Sequence, residues 1–77
     1  MEEEMLLVTT RETFIRELAR VQDRDKFRIR LDTGMTHVLL RGTLNLNGLH
    51  GGIIGRTPEG VILEIPFIWI ISVLEPT

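Results

Sequence analysis

Apolar and polar positions recur along this chain with two different periods, and the change from one to the other falls near Asp25. From Arg11 to about Gln22 the period is helical. Phe14, Ile15, Leu18, Ala19 and Val21 or Gln22 fall on one stripe, whereas Glu12, Arg16, Glu17 and Arg20 lie off it. The spacing predicts one amphipathic helix of about three turns. Thr9 or Thr10 can cap its start, and Thr9 with Glu12 has the capping-box spacing. Asp23-Arg24-Asp25 ends it.

Beyond that point the pattern alternates. Lys26, Arg28, Arg30 and Asp32 interleave with Phe27, Ile29 and Leu31, as in a strand with one buried face. Asp32-Thr33-Gly34 reads as a turn. A second strand is expected from about His37 to Leu46, with Gly42 placed for a bend or a bulge. The glycine-rich stretch from Asn47 to Gly52 reads as a loop or an irregular strand end. Ile53 to Arg56 is a short third strand, and Thr57-Pro58-Glu59-Gly60 is a tight turn with proline at its second position. Val61 to Ile65 is a fourth strand, and Phe67 or Ile68 to Leu74 a fifth, with Pro66 between them at an edge, a bulge or a strand start.

The order is thus an N-terminal helix followed by five short strands. This describes a mostly β domain, a strongly bent five-stranded antiparallel sheet forming a small open barrel with the helix across one end. Residues 9–77 form a single domain, and residues 1–8, acidic and then apolar, are either an extended arm or a run-in to the helix.

The tail breaks the alternation. Eleven of the fourteen residues from Val61 to Leu74 are apolar, and Phe67-Ile68-Trp69-Ile70-Ile71 has no polar member. Such a strand needs cover on both faces. Either it is central within the barrel, or it pairs with another subunit. Size favours the second answer. A chain of 77 residues buries only about 60% of its unfolded surface, and small chains compensate with disulfides, metals or oligomerisation. Cysteine is absent and only His37 and His50 are present as histidines, which leaves oligomerisation and calls for no metal or other cofactor. Val61, Leu63, Ile65, Ile68, Ile70, Ile71 and Val73 are the expected interface positions of a homo-oligomer.

Charge adds little to this. The net charge is −2, and outside the acidic tip Glu2-Glu3-Glu4 the body is close to neutral, so overall charge does not mark a polyanion-binding protein. The longest unbroken apolar run, from Phe67 to Ile71, has five residues, against the roughly 20 of a membrane-spanning helix. With no leader and no cysteine, a cytoplasmic protein is expected. No acidic pair suits general acid and base chemistry. Ser72 is the only serine and has no partner base, and the glycine-rich stretch lacks the lysine of a phosphate-binding loop. The chain does not read as an enzyme.

The layout resembles that of the Sm-like proteins, including bacterial Hfq. Phe27-Arg28-Ile29-Arg30-Leu31-Asp32-Thr33-Gly34 is similar to the family's first strand and turn, Arg41-Gly42-Thr43-Leu44 to its bent second strand, and Ile68 to Pro76 to its closing strand. The similarity covers roughly Thr9 to Pro76. It implies a homo-hexameric or homo-heptameric ring, in which the fourth strand of one subunit pairs with the fifth of the next. The activity it implies is binding of single-stranded, often uridine-rich RNA without catalysis. Asn47 would stand near the family's loop aspartate. Ile68 and Trp69 occupy positions where Hfq has Lys-His and Sm proteins Arg-Gly.

Candidate RNA-binding residues are therefore Asn47, His50, Trp69, Arg16 and Arg20. Arg16, Arg20 and Arg24 repeat every four residues, and guanidinium groups suit phosphate; equally, they form a solvated helix face with Glu12 among their neighbours. Trp69 either stacks a base or fills a core or interface. His50 with Asn47 lies where backbone can approach a ligand closely, or is simply exposed. His37 reads as a surface residue at a strand end. Arg28, Arg30 and Arg41 line the polar side of the first two strands, as a basic surface or as partners of Asp32 and Glu64. An assembly module that holds proteins and binds no RNA is the alternative, and another small barrel of PRC-barrel or SH3-like type is a third.

Overall fold

The computed structural model describes residues 10–46 and 51–76. Helix α1 spans Arg11–Ala19, and the strands are β1 Lys26–Leu31, β2 Thr36–Leu40, β3 Gly52–Arg56, β4 Ile62–Pro66 and β5 Ile70–Leu74. The fold is mostly β, one helix and five strands in two antiparallel sheets, a three-stranded sheet in the order β2-β1-β5 and a two-stranded sheet β3-β4. These strands do not close into a barrel.

Thr10, not Thr9, caps α1: its Oγ1 accepts from the Thr13 amide at 3.2 Å. The helix is shorter than its apolar period implies. The amides of Arg20 and Val21 turn back three residues, to Glu17 and Leu18, which tightens the end and sends Val21 into the core. The stripe is also narrower than expected. Phe14 and Leu18 are buried, whereas Ile15 and Ala19 face outward.

Strand β1 follows the alternation read from its residues, with Phe27, Ile29 and Leu31 inward and Lys26, Arg28 and Arg30 outward. It pairs with β2 from Lys26↔Leu40 to Arg30↔Thr36. On its other side, β5 pairs with it from Arg28↔Leu74 to Leu31↔Ile70, with a register shift between Arg30 and Leu31 that leaves Ile71 as the extra residue. The turn between β1 and β2 closes through Leu31 N–H to the Met35 carbonyl at 2.8 Å, and Gly34 provides the positive φ of 93° that it needs.

Two of the expected strands are shortened by a 3-10 turn, the second at its end and the fifth at its start. β2 stops at Leu40, and Arg41–Thr43 turns the chain. Gly42 is not what makes this bend possible, because its φ is not positive and an added Cβ would meet nothing within 4 Å. Thr43 fixes the corner instead: its hydroxyl donates to the Leu40 carbonyl at 2.8 Å and accepts from the Arg56 amide at 2.9 Å. An isolated bridge, Asn45↔Ile54, continues the connection from β2 to β3. The second turn, Phe67–Trp69, separates β4 from β5. The run of consecutive apolar residues is therefore no strand with two covered faces. Phe67 points inward, while Ile68 and Trp69 project into solvent from the turn.

The core lies between the two sheets and under the helix. Its six fully buried large side chains are Phe14, Phe27, Ile29, Leu39, Ile53 and Ile70. All three phenylalanines of the chain meet there. Phe14 packs edge-on to Phe27 with ring centroids 6.0 Å apart, and 5.7 Å from Phe67. Gly55 permits β3 to approach β2, since a Cβ at that position would stand 3.2 Å from Leu39 Cδ1.

Candidate assembly and RNA-binding surfaces

Only β1 has two strand neighbours among the described residues; the isolated Asn45↔Ile54 bridge links the chain after β2 to β3, so β4 and β5 are the edges farthest from that join. Among the described residues β4 pairs only with β3, and β5 only with β1. An edge of this kind presents a row of free backbone donors and acceptors, a template for another strand. Four of the six exposed large apolar residues among those described lie close to these two strands in sequence. Val61 is 55% exposed and Ile62 57% at the start of β4, and Ile68 is 68% and Trp69 47% exposed in the turn that leads into β5. The other two are Ile15 on α1 and Met35 in the turn between β1 and β2.

The anticipated interface residues fall into two groups. Val61 and Ile68 are exposed, and Leu63 and Ile71 are half-buried. Ile65, Ile70 and Val73 belong to the chain's own core. Their side chains are already enclosed, so only their backbone could serve a neighbouring strand. Ile62, passed over in the reading of β4, is outward because it alternates with Leu63. The register across the tight turn after Arg56 sets this, and it could have been found by counting back from Pro66.

Arg16 and Arg20 are both exposed, in the last turn of α1 and at its C-cap. Cations there also complement the partial negative charge of a helix end. Trp69 has its indole partly exposed, and its carbonyl accepts from the Asp32 amide at 2.9 Å. Asn47 and His50 lie outside the described residues.

Arg41 has a role its sequence position did not suggest. Its Nη2 donates to the carbonyls of Val21 at 3.1 Å and Asp23 at 3.0 Å and reaches Leu18 at 3.5 Å. It thus satisfies orphan acceptors where α1 ends. It is a partner of neither Asp32 nor Glu64; Glu64 stands opposite Ile54 on the other sheet. Nearby, Asp23 Oδ1 accepts from the amides of Asp25 at 2.7 Å and Lys26 at 3.0 Å. Those two amides, with smaller help from the charges of Lys26 and Arg41, hold the Asp23 carboxyl below its ordinary 3.8.

On the outward side of the three-stranded sheet, Lys26, Arg28 and Arg30 form one line along β1. A depression of about 470 Å³ opens beside it, lined by Lys26, Thr36, His37, Val38, Thr57, Pro58, Glu59 and Pro76. His37 is half-buried at its margin, not a freely exposed strand end.

Among the described residues no cluster of three or more His, Asp or Glu could hold a metal ion, and no helix is long and apolar enough to cross a membrane. Comparison of the chain with family models, with curated proteins and with solved structures found no match.

Proposed function

We propose that this chain is the subunit of an Sm-like homo-oligomeric ring that binds single-stranded RNA without catalysing a reaction. In this reading the two sheets, joined at Thr43 and at the Asn45↔Ile54 bridge, act as one strongly bent five-stranded sheet, a small open barrel. The observation that carries the reading is that, with the Asn45↔Ile54 bridge joining the chain after β2 to β3, the order runs β5-β1-β2-β3-β4 and its two ends, β4 and β5, each have only one strand partner among the described residues. They are different edges. Pairing β4 of one subunit with β5 of the next is a head-to-tail contact, and such a contact makes a closed ring when its rotation closes. Ile62 and Ile68, exposed beside those edges, would leave water in that contact.

Exposed guanidinium groups at Arg16 and Arg20 and the partly exposed Trp69 support RNA as the ligand. Stacking of a base on an aromatic side chain contributes about 1–3 kcal/mol, and a ring multiplies a weak contact. A second reading, an assembly module that holds proteins and not RNA, is favoured by the apolar Ile68 and Trp69 in the exposed turn and by the small net charge of −2.

Light scattering on a sizing column, with and without a short uridine-rich RNA, tests both. A mass of six or seven subunits that rises with RNA is expected. A ring indifferent to RNA would favour the assembly module, and a monomer would overturn both.

A further inference from the structure

We infer that the RNA track of this protein is the outward face of the β2-β1-β5 sheet, with Lys26, Arg28 and Arg30 as its phosphate contacts. This rests on the reading of the chain as RNA-binding and says where on the subunit that binding occurs.

The three cations occupy alternate positions of one strand, so they share a face and recur about every 6.7 Å along it. That is close to the step between successive phosphates of an extended single strand. β1 is the central strand of its sheet, so the line has a neighbour on each side. In register, Arg30 lies between Thr36 and Ser72, and Arg28 between Val38 and Leu74. Cations are thus flanked by hydroxyls at one end and by apolar groups at the middle. This alternation suits a chain of phosphates carrying bases. The helix does not cover this face: its Phe14 packs against Phe27, which points to the opposite side of β1.

Two details strengthen the assignment. Arg28 is half-buried and its Nε, like that of Arg41, is buried without a hydrogen-bond partner; what sets Arg41 apart is its Nη2, which the carbonyls of Val21 and Asp23 hold. The depression beside Lys26, with Thr36, Thr57 and His37 as polar groups and Pro58 and Pro76 as walls, has room for one nucleotide. Among the described residues Glu59 is the only carboxylate lining it, and it opposes an anion there. A regular line of fixed spacing on a sheet fits an extended polyanion with a regular charge repeat better than an irregular acidic peptide.

The test is fluorescence polarisation of a labelled mixed-sequence single-stranded RNA over a range of salt, with the mass of each variant checked by light scattering. Lys26→Gln with Arg30→Gln, both exposed positions, should weaken binding at least tenfold. It should also lower the salt slope by about 0.7 for each cation removed, with the oligomer mass unchanged. Adding Arg28→Gln should deepen the loss, and Glu59→Gln should tighten binding. Arg16→Gln with Arg20→Gln, on the helix, should weaken binding less than the sheet pair does. If that helix pair abolishes binding while the sheet pair retains it, the track is on the helix and this inference fails, though the ring that binds RNA stands. Equal competition by a polyglutamate peptide would assign the face to an acidic protein and overturn the inference. Absence of RNA binding by the unaltered protein would overturn this inference and the RNA half of the proposed function together.

Discussion

Arg41 Nη2 lies 3.1 Å from the carbonyl oxygen of Val21, a contact between the corner after β2 and the end of the helix, 20 positions apart in the chain. The same nitrogen reaches the Asp23 carbonyl at 3.0 Å. One charged group therefore ties the helix end to the sheet. Arg41→Met keeps the aliphatic stem and removes these donors. Hydrogen bonds to charged groups contribute about 1.5–3 kcal/mol, so a loss of about 2 kcal/mol is expected in denaturant unfolding. Arg41→Lys should recover only part of it, because a lysine lacks the planar fork. A midpoint unchanged in Arg41→Met would show that water replaces the guanidinium at no cost.

The two glycines at the bend make a matched pair for a second experiment. Gly42 has open space around its Cβ direction and no positive φ, whereas Gly55 faces Leu39 Cδ1 at 3.2 Å. Gly42→Ala should be close to neutral. Gly55→Val forces β3 away from β2 and should cost about 1–3 kcal/mol, the usual result of overfilling a packed core. Thermal unfolding of the two variants side by side would decide the matter, and the reverse order would contradict the close approach.

That contrast also explains how far the sequence could be read. The helix and the five strands follow from periods that local burial imposes, and β1 matches its alternation residue by residue. A bend at Gly42 was readable and the chain does turn there, but that Arg41–Thr43 ends β2 and that Phe67–Trp69 is a turn were hidden for a different reason. A 3-10 turn of three residues has no period of its own, and an apolar run such as Phe67-Ile68-Trp69 looks like a strand until Pro66 and the Gly51 carbonyl, which accepts from the Phe67 amide at 2.9 Å, fix where the chain turns.

The surfaces were legible in part for the same reason. Arg16, Arg20 and Trp69 are outward, as a reading of them as contacts requires. Ile65, Ile70 and Val73 were grouped with the interface because composition cannot tell an apolar residue of the core from one of an edge. Their partners across the sheets, Ile53 for Ile65, Leu31 for Ile70 and Ile29 for Val73, are themselves buried. Only register gives that information. The basic line on β1 was visible as an alternation, but its setting between Thr36 and Ser72 required the pairing of β2 and β5.

Asp23 gives the fold a dependence on acid. Its carboxyl is lowered in the folded chain, first by the Asp25 amide, then by the Lys26 amide and the nearby charges. A carboxyl lowered by folding adds stability that is complete above its unfolded value, near 3.8, and is lost as pH falls through the folded one. Asp23→Asn retains an acceptor oxygen but not the charge. Its unfolding midpoint should therefore fall less steeply than that of the unaltered chain as pH drops below 3.8. Equal slopes in acid would mean that the two amides do not discriminate between the charged and the neutral side chain.

Ile62 and Ile68 offer the sharpest test of self-association, because neither contributes to the core of the single chain. They are 57% and 68% exposed, one at the start of β4 and the other just before β5. Full burial of such a side chain contributes about 1.5–3 kcal/mol. In a head-to-tail ring every subunit would use both, one at each of its two contacts. A lysine at a strand edge removes that gain and also resists pairing. Ile62→Lys and Ile68→Lys should each keep the circular dichroism of the unaltered protein and its unfolding midpoint at low concentration, while the mass measured by light scattering falls toward that of one chain. The two should act alike although they lie at different edges, since a ring fails when either side of its repeated contact fails. If one variant dissociates and the other keeps its full mass, the contact is a two-fold pairing of like edges, and the head-to-tail arrangement of β4 against β5 is wrong.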